Sequence, residues 1–289
     1  MSRPSPFEHS RVDRPFWGRV CVLAVFLSGL SGCGGVAERV NDAHRIAAQG
    51  GLTPVTFDGG AFVLQGFYRS APGKTLRVYV EGDGFAWVNR TTISNDPTPR
   101  DPVALELAVR DTEGTAVLYL GRPCQYVGVS GCSNRYWTSH RFAPEVVAAT
   151  SQALDQAKRL AGAERIELVG FSGGGGLVVL VAAERGDVVS LRSVAGTLDH
   201  EVLNRHHRVT PPSGSLNAAD AAKRVAHLPQ VHLVGGRDSL IGPYVAESYV
   251  RHAGDDRCIQ VVSIAEASHG DGWAQGWPRL LAAHPPRCR

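Results

Sequence analysis

The chain lacks a lysine where a phosphate-binding loop would need one. Its glycine-rich run, Ile166 to Gly176 (IELVGFSGGGG), has no Gly-Lys-Ser/Thr ending, which excludes a P-loop. It also lacks a long hydrophobic stretch near its start. The apolar run Val20–Leu30 has eleven residues, too few to span a bilayer. No sign of charge dominates: 30 Lys+Arg against 27 Asp+Glu give +3. Residues 1–32 hold four arginines and two acids, so the chain without them carries +1. Near-neutrality leaves no electrostatic footprint for nucleic acid. Neither C-x-x-C spacing nor the acid–His spacing of a hydrolytic zinc site occurs, so no metal or cofactor is expected. Internal repeats and low-complexity tracts are absent too. What remains is 43% hydrophobic over 289 residues, enough for one α/β domain or two small ones.

The informative stretch is that same glycine-rich run. Ile166, Leu168 and Val169 read as a buried strand. Gly170-Phe171-Ser172-Gly173-Gly174 follows, then Leu177–Ala183, which reads as a packed helix. This is G-x-S-x-G in a strand–turn–helix context. A serine on so sharp a turn is held in strained backbone. Glycines two positions to either side let strand and helix approach. The free N–H groups at the helix start favour negative charge. A nucleophilic serine needs a base, and the base an orienting acid. VHLVGG (Val231–Gly236) reads as a strand and is followed by Arg237-Asp238. CIQVVSIAEA (Cys258–Ala267) reads as another, followed by Ser268-His269-Gly270-Asp271. In a parallel sheet the C-terminal strand ends share one edge, so Ser172, Asp238 and His269 can converge there.

This order and context resemble the α/β-hydrolase superfamily of serine hydrolases, from roughly Phe57 to the C-terminus. The resemblance implies an α/β-hydrolase fold, a mostly parallel sheet with helices on both faces. It implies Ser172 as nucleophile, His269 as general base and Asp238 as the acid that orients it. Asp199, after LRSVAG (Leu191–Gly196), is the alternative acid, since some members place it there. His232 lies inside a strand and is expected in the core. Asp271 reads as a loop residue or a partner of the site. The oxyanion donors are expected at Gly173 and at Gly84 or Phe85, after the strand LRVYV. Glu81-Gly82-Asp83-Gly84 stands where many members have His-Gly-Gly. Asp83 is expected to turn away and cap its own loop. The implied activity is hydrolysis of an ester, less readily an amide or peptide, through an acyl-enzyme. The substrate would be a small-molecule or lipid ester. The alternative is a non-enzymatic envelope lipoprotein that keeps a hydrolase scaffold for binding.

The N-terminus reads as an export signal over residues 1–32, with Arg14 and Arg19 before the apolar run. Leu30-Ser31-Gly32-Cys33 resembles the bacterial lipobox, which implies lipidation of Cys33 and a membrane anchor. Gly34 after the cysteine leans towards the outer membrane, with the protein on the periplasmic side of the cell envelope. Residues 33–56 then form a tether or loose helix, and 57–289 the domain. With Cys21 removed and Cys33 lipidated, four cysteines remain, in an oxidising compartment. They allow three connectivities. Cys124–Cys132 and Cys258–Cys288 are favoured, closing a short loop and tying the last strand to the tail.

Ala61–Arg69 and Leu76–Gly82, split by the turn residues Ser70–Lys74, read as an antiparallel N-terminal edge hairpin. Val103–Asp111 reads as a helix, Ala116–Gly121 as a strand, and Pro144 opens a long helix that Gly162 closes. Gly121–His140 presents Tyr126, Arg135, Tyr136 and Trp137 either as pocket lining or as a stapled surface flap. Asp199–Ala218, with His200, His206 and His207, reads as a solvated helix or loop.

Overall fold

The computed structural model describes Met1 and residues 35–128 and 132–289. The signal and lipidation readings fall on residues 2–34, outside the described residues.

The strands are β1 (Thr53–Asp58), β2 (Val63–Arg69), β3 (Thr75–Val80), β4 (Ala116–Leu120), β5 (Arg165–Phe171), β6 (Val188–Val194), β7 (Gln230–Gly235) and β8 (Ile259–Ile264). They form one sheet in the order β1-β2-β4-β3-β5-β6-β7-β8. β1 pairs with β2 and β2 with β4 antiparallel. Every pairing from β4 through β8 is parallel. The helices are α1 (Val36–Gln49), α2 (Val103–Val109), α3 (Pro144–Ala161), α4 (Gly173–Ala182), α5 (His200–His207), α6 (Ala218–Val225), α7 (Pro243–Ala253) and α8 (Trp277–Ala283).

Side-chain alternation sorts the core into two layers. Leu76, Val78 and Val80 of β3 pack with α3, α4, α6 and α7. Tyr79 of the same strand points the other way, to the layer holding α1, α2 and α8. The sheet is thus covered on both faces.

Two expectations need correction. An antiparallel edge exists, but β1 and β2 make it; β2 does not pair with β3. All of β3 beyond Thr75 is buried, as suits a central strand, and its one charged residue, Arg77, is buried in ion pairs with Asp111 and Glu167. β1 is mostly exposed, as suits an edge. The expected tether over 33–56 is, from Val36 onward, part of the domain. Ala43, Ile46 and Ala47 of α1 lie on one helical face, buried against the α2 layer, and β1 begins at Thr53.

Disulfides join Cys124 to Cys132 and Cys258 to Cys288. Tyr126 and Trp137 are buried, Tyr126 bonding the Tyr119 hydroxyl at 2.9 Å and Trp137 donating to the Ser94 carbonyl at 3.1 Å. Tyr136 donates to Glu145 of α3. Residues 121–128 and 132–140 are therefore held down onto the domain by their aromatics.

Candidate active site

β5 ends at Phe171 and α4 starts at Gly173, leaving Ser172 alone to turn the chain. Its backbone sits at φ 48°, ψ −118°, a strained region for a residue with a Cβ. Three hydrogen bonds fix it there. Its N–H donates to Val194 O, and its carbonyl accepts from Gly175 and Thr197, each at 2.9 Å. A side chain at Gly174 would collide with the carbonyls of Val80 and Glu81, and one at Gly170 with the Gly174 backbone. The motif glycines are thus required by close backbone approach.

β7 delivers Asp238 and β8 delivers His269 to the same edge. His269 Nε2 lies 3.0 Å from Ser172 Oγ, and His269 Nδ1 lies 2.9 Å from Asp238 Oδ2. The Asp238 side chain is fully buried. Its Oδ1 accepts from the N–H groups of Leu240 (2.8 Å) and Ile241 (2.9 Å). Burial would raise this carboxyl, but His269 and those N–H groups outweigh burial and hold it below the ordinary carboxylate value. The loop around His269 is pinned by buried Trp273, whose indole N–H donates to the carbonyls of Ser268 (3.0 Å) and His269 (3.1 Å). Asp271 bonds the Ser268 hydroxyl and so shapes this loop.

Asp199 lies elsewhere in role. It caps α5 through the N–H groups of Glu201 and Val202 and accepts from Ser248 (2.7 Å) and Asn217 (3.0 Å). His232 is buried and bonds Ser193 Oγ at 2.8 Å; burial depresses its pKa to about 3. His200 stacks on Phe142, His206 on Tyr244, and His207 bonds the Leu240 carbonyl.

The loop after β3 departs from expectation twice. Phe85 N–H donates to Pro97 O at 3.1 Å and is already engaged, so Phe85 is no oxyanion donor. The N–H groups of Gly173, Gly84 and Asp83 have no partner among the described residues. The loop lies against Ser172: a Cβ at Gly82 would sit 3.2 Å from Ser172 Cβ. Asp83 does not turn away to cap its loop. Its Oδ1 is so close to Gly173 that a side chain there would strike it. Arg122 approaches Oδ1 at 3.1 Å and Arg141 approaches Oδ2 at 2.5 Å. Burial would raise Asp83, but Arg141 and Arg122 pull it below the ordinary range, so it is ionised. Beside Gly173 the Asp83 carboxylate is thus matched by the Arg122 and Arg141 guanidinium groups rather than left as a bare negative charge.

No protein-family model matches the chain, and no curated protein matches it significantly. Solved structures do. The acylaminoacyl peptidase of Pyrococcus horikoshii matches with a TM-score of 0.58 and 14% identity over 81% of this chain and 40% of the peptidase. An α/β serine hydrolase homologue from Coxiella burnetii matches with a TM-score of 0.58 and 17% identity over 80% of this chain and 96% of the homologue. Est1E of Butyrivibrio proteoclasticus, with ferulic acid bound, gives 0.59 and 13% over 81% of this chain and all of Est1E. The fold is that of the α/β hydrolases. Identities this low carry the fold alone.

In this α/β-hydrolase fold Glu81 directly follows β3 and is buried. Its Oε1 accepts from Gly82 N–H at 2.9 Å and faces Ala104 N–H of α2 at 3.5 Å. Burial lifts its pKa from 4.5 to about 7 against the pull of those groups. Between those values the folded chain holds a proton that the unfolded chain has lost. Stability therefore falls as pH rises through that window and levels off above it. Glu81→Gln should remove this slope. Wild type should lose about 3 kcal/mol relative to the variant across the window, by urea unfolding at several pH values. Parallel pH curves for the two proteins would show that Glu81 does not carry the effect.

Proposed function

We propose that this protein is a serine hydrolase that cleaves an ester, and less readily an amide or peptide, through an acyl-enzyme on Ser172. The observation that carries the reading is the unbroken relay from Ser172 Oγ to His269 to Asp238, at 3.0 and 2.9 Å, at the start of α4. With the ring proton on Nδ1 bonded to Asp238, Nε2 takes the serine proton as Oγ attacks the substrate carbonyl carbon. The oxyanion is met by Gly173 N–H and by the unpaired amides of Asp83 and Gly84. The imidazolium then protonates the departing alkoxide. Water, deprotonated by the same nitrogen, attacks the acyl-enzyme and releases the carboxylic acid. Est1E with ferulic acid bound supports a small-molecule substrate. The proposed setting is the cell envelope, with the chain anchored through acyl groups on Cys33.

A fluorophosphonate probe tests this directly. The full chain should be labelled in the membrane fraction, and the Ser172→Ala variant should not. Equal labelling of both would remove Ser172 as nucleophile.

A further inference from the structure

The first turn of α1 stands at the catalytic edge. Arg39 donates to the Thr98 carbonyl, lies 3.7 Å from Asp96 and sits over the Phe85 ring at 5.3 Å. All three partners belong to the segment between β3 and α2 that also carries Asp83 and Gly84. The helix runs away from that edge. At its far end the Gly50 carbonyl accepts from Arg69, which pairs with Val117 at the start of β4. Gly35, the N-cap of α1, is two residues after Cys33. Two residues of extended chain reach about 7 Å.

Trp87 and Val88 stand on a short hairpin closed by the Trp87–Ile93 bridge and by Val88 N–H to Thr92 O. They are 47% and 53% exposed. Val36 in the first turn of α1, Leu216 between α5 and α6, and Leu240 after β7 are also exposed. Arg90, Arg135, Arg205 (in α5) and Arg208, in the segments that follow β3, β4 and β6, are exposed and have no carboxylate partner among the described residues. Tryptophan favours the headgroup level of a bilayer, and arginines favour its anionic headgroups. A charged cleft of about 320 Å³, lined among others by Asp42, Arg45, Arg100, Asp101, Glu106 and Gly270, runs between α1 and the loop carrying His269.

We infer that the catalytic edge faces the bilayer that holds the anchor, and that the substrate is an ester-bearing amphiphile lying in that interface. The inference rests on Ser172 as nucleophile and Cys33 as the lipidated residue. The test uses the full lipidated chain in phosphatidylethanolamine–phosphatidylglycerol vesicles, with bimane attached in Val88→Cys or in Leu160→Cys. Leu160 is exposed near the end of α3, beside the start of β5. Doxyl-labelled lipid should quench the label at 88 and leave that at 160 bright. In parallel, Trp87→Ser/Val88→Ser should lose about tenfold in turnover of a vesicle-embedded long-chain ester and keep its turnover of a soluble short-chain ester. Equal or reversed quenching, or equal loss on both esters, overturns the inference. The mass of the N-terminal peptide reports Cys33 separately; an unmodified cysteine overturns both the lipid reading and this inference. Absent fluorophosphonate labelling of Ser172 overturns the substrate assignment, while the quenching still decides the orientation.

Discussion

Ser172→Ala should lower turnover of a soluble short-chain ester by about 10⁵- to 10⁶-fold, the scale of nucleophile deletions in serine hydrolases. The fold should survive, because the bonds that hold position 172 are made by its backbone N–H and carbonyl. A second substitution separates the chemistry from the strain. Ser172→Gly should be as inactive as Ser172→Ala, yet more stable than it by about 1 kcal/mol. The gain comes from relieving a backbone strain of about 1–3 kcal/mol, offset in part by glycine's larger unfolded-state entropy. Urea midpoints of the two variants measure it. Residual turnover near the wild-type rate in Ser172→Ala would sink the nucleophile assignment. Equal midpoints would sink the strain argument and leave the chemistry standing.

The parts legible in the sequence were those written locally. The elbow from Ile166 to Ala183 is one contiguous strand, turn and helix, so its glycines and serine announce it together. Asp238 and His269 could be placed because each follows its own strand, and a parallel sheet brings such positions to one edge. The strand order was not legible. β2 and β3 are neighbours in sequence, and a short turn between two apolar runs suggests a hairpin. In the fold β4 comes between them. One face of β3, Leu76, Val78 and Val80, is apolar, but the other carries Arg77, which reads as solvent-facing until its distant partners Asp111 and Glu167 are known. Asp83 was misjudged because its partners Arg122 and Arg141 lie 39 and 58 residues away, and local turn chemistry says nothing of them. A loose helix over 33–56 is legible, but its packing into the domain is not, because the buried face of α1 is Ala43, Ile46 and Ala47, and alanine announces a packed face poorly.

The choice between the two acids makes the second large prediction. Asp238→Asn should lower turnover by about 10⁴-fold with little loss of fold, and Asp199→Asn should leave turnover intact. The hydrogen-bond geometry dictates why. At position 238 one oxygen must accept from two backbone N–H groups, Leu240 and Ile241. The asparagine oxygen would be kept there, which turns its NH₂ towards His269 Nδ1. That nitrogen must then accept, so the ring proton moves to Nε2. An imidazole protonated at Nε2 cannot take the proton of Ser172. At position 199 no imidazole is involved. The carboxylate caps α5 and receives Ser248 and Asn217, and losing part of that set costs about 1 kcal/mol of stability. The two variants therefore part in their readouts: Asp238→Asn in kcat with a near-normal urea midpoint, Asp199→Asn in midpoint with a near-normal kcat. The acid side follows the same logic. Asp238 is held below its ordinary pKa, so its contribution to stability is complete at neutral pH and is lost only as pH falls through that depressed value. An exchange of the two phenotypes would move the orienting acid to the end of β6 and leave Asp238 as a turn residue.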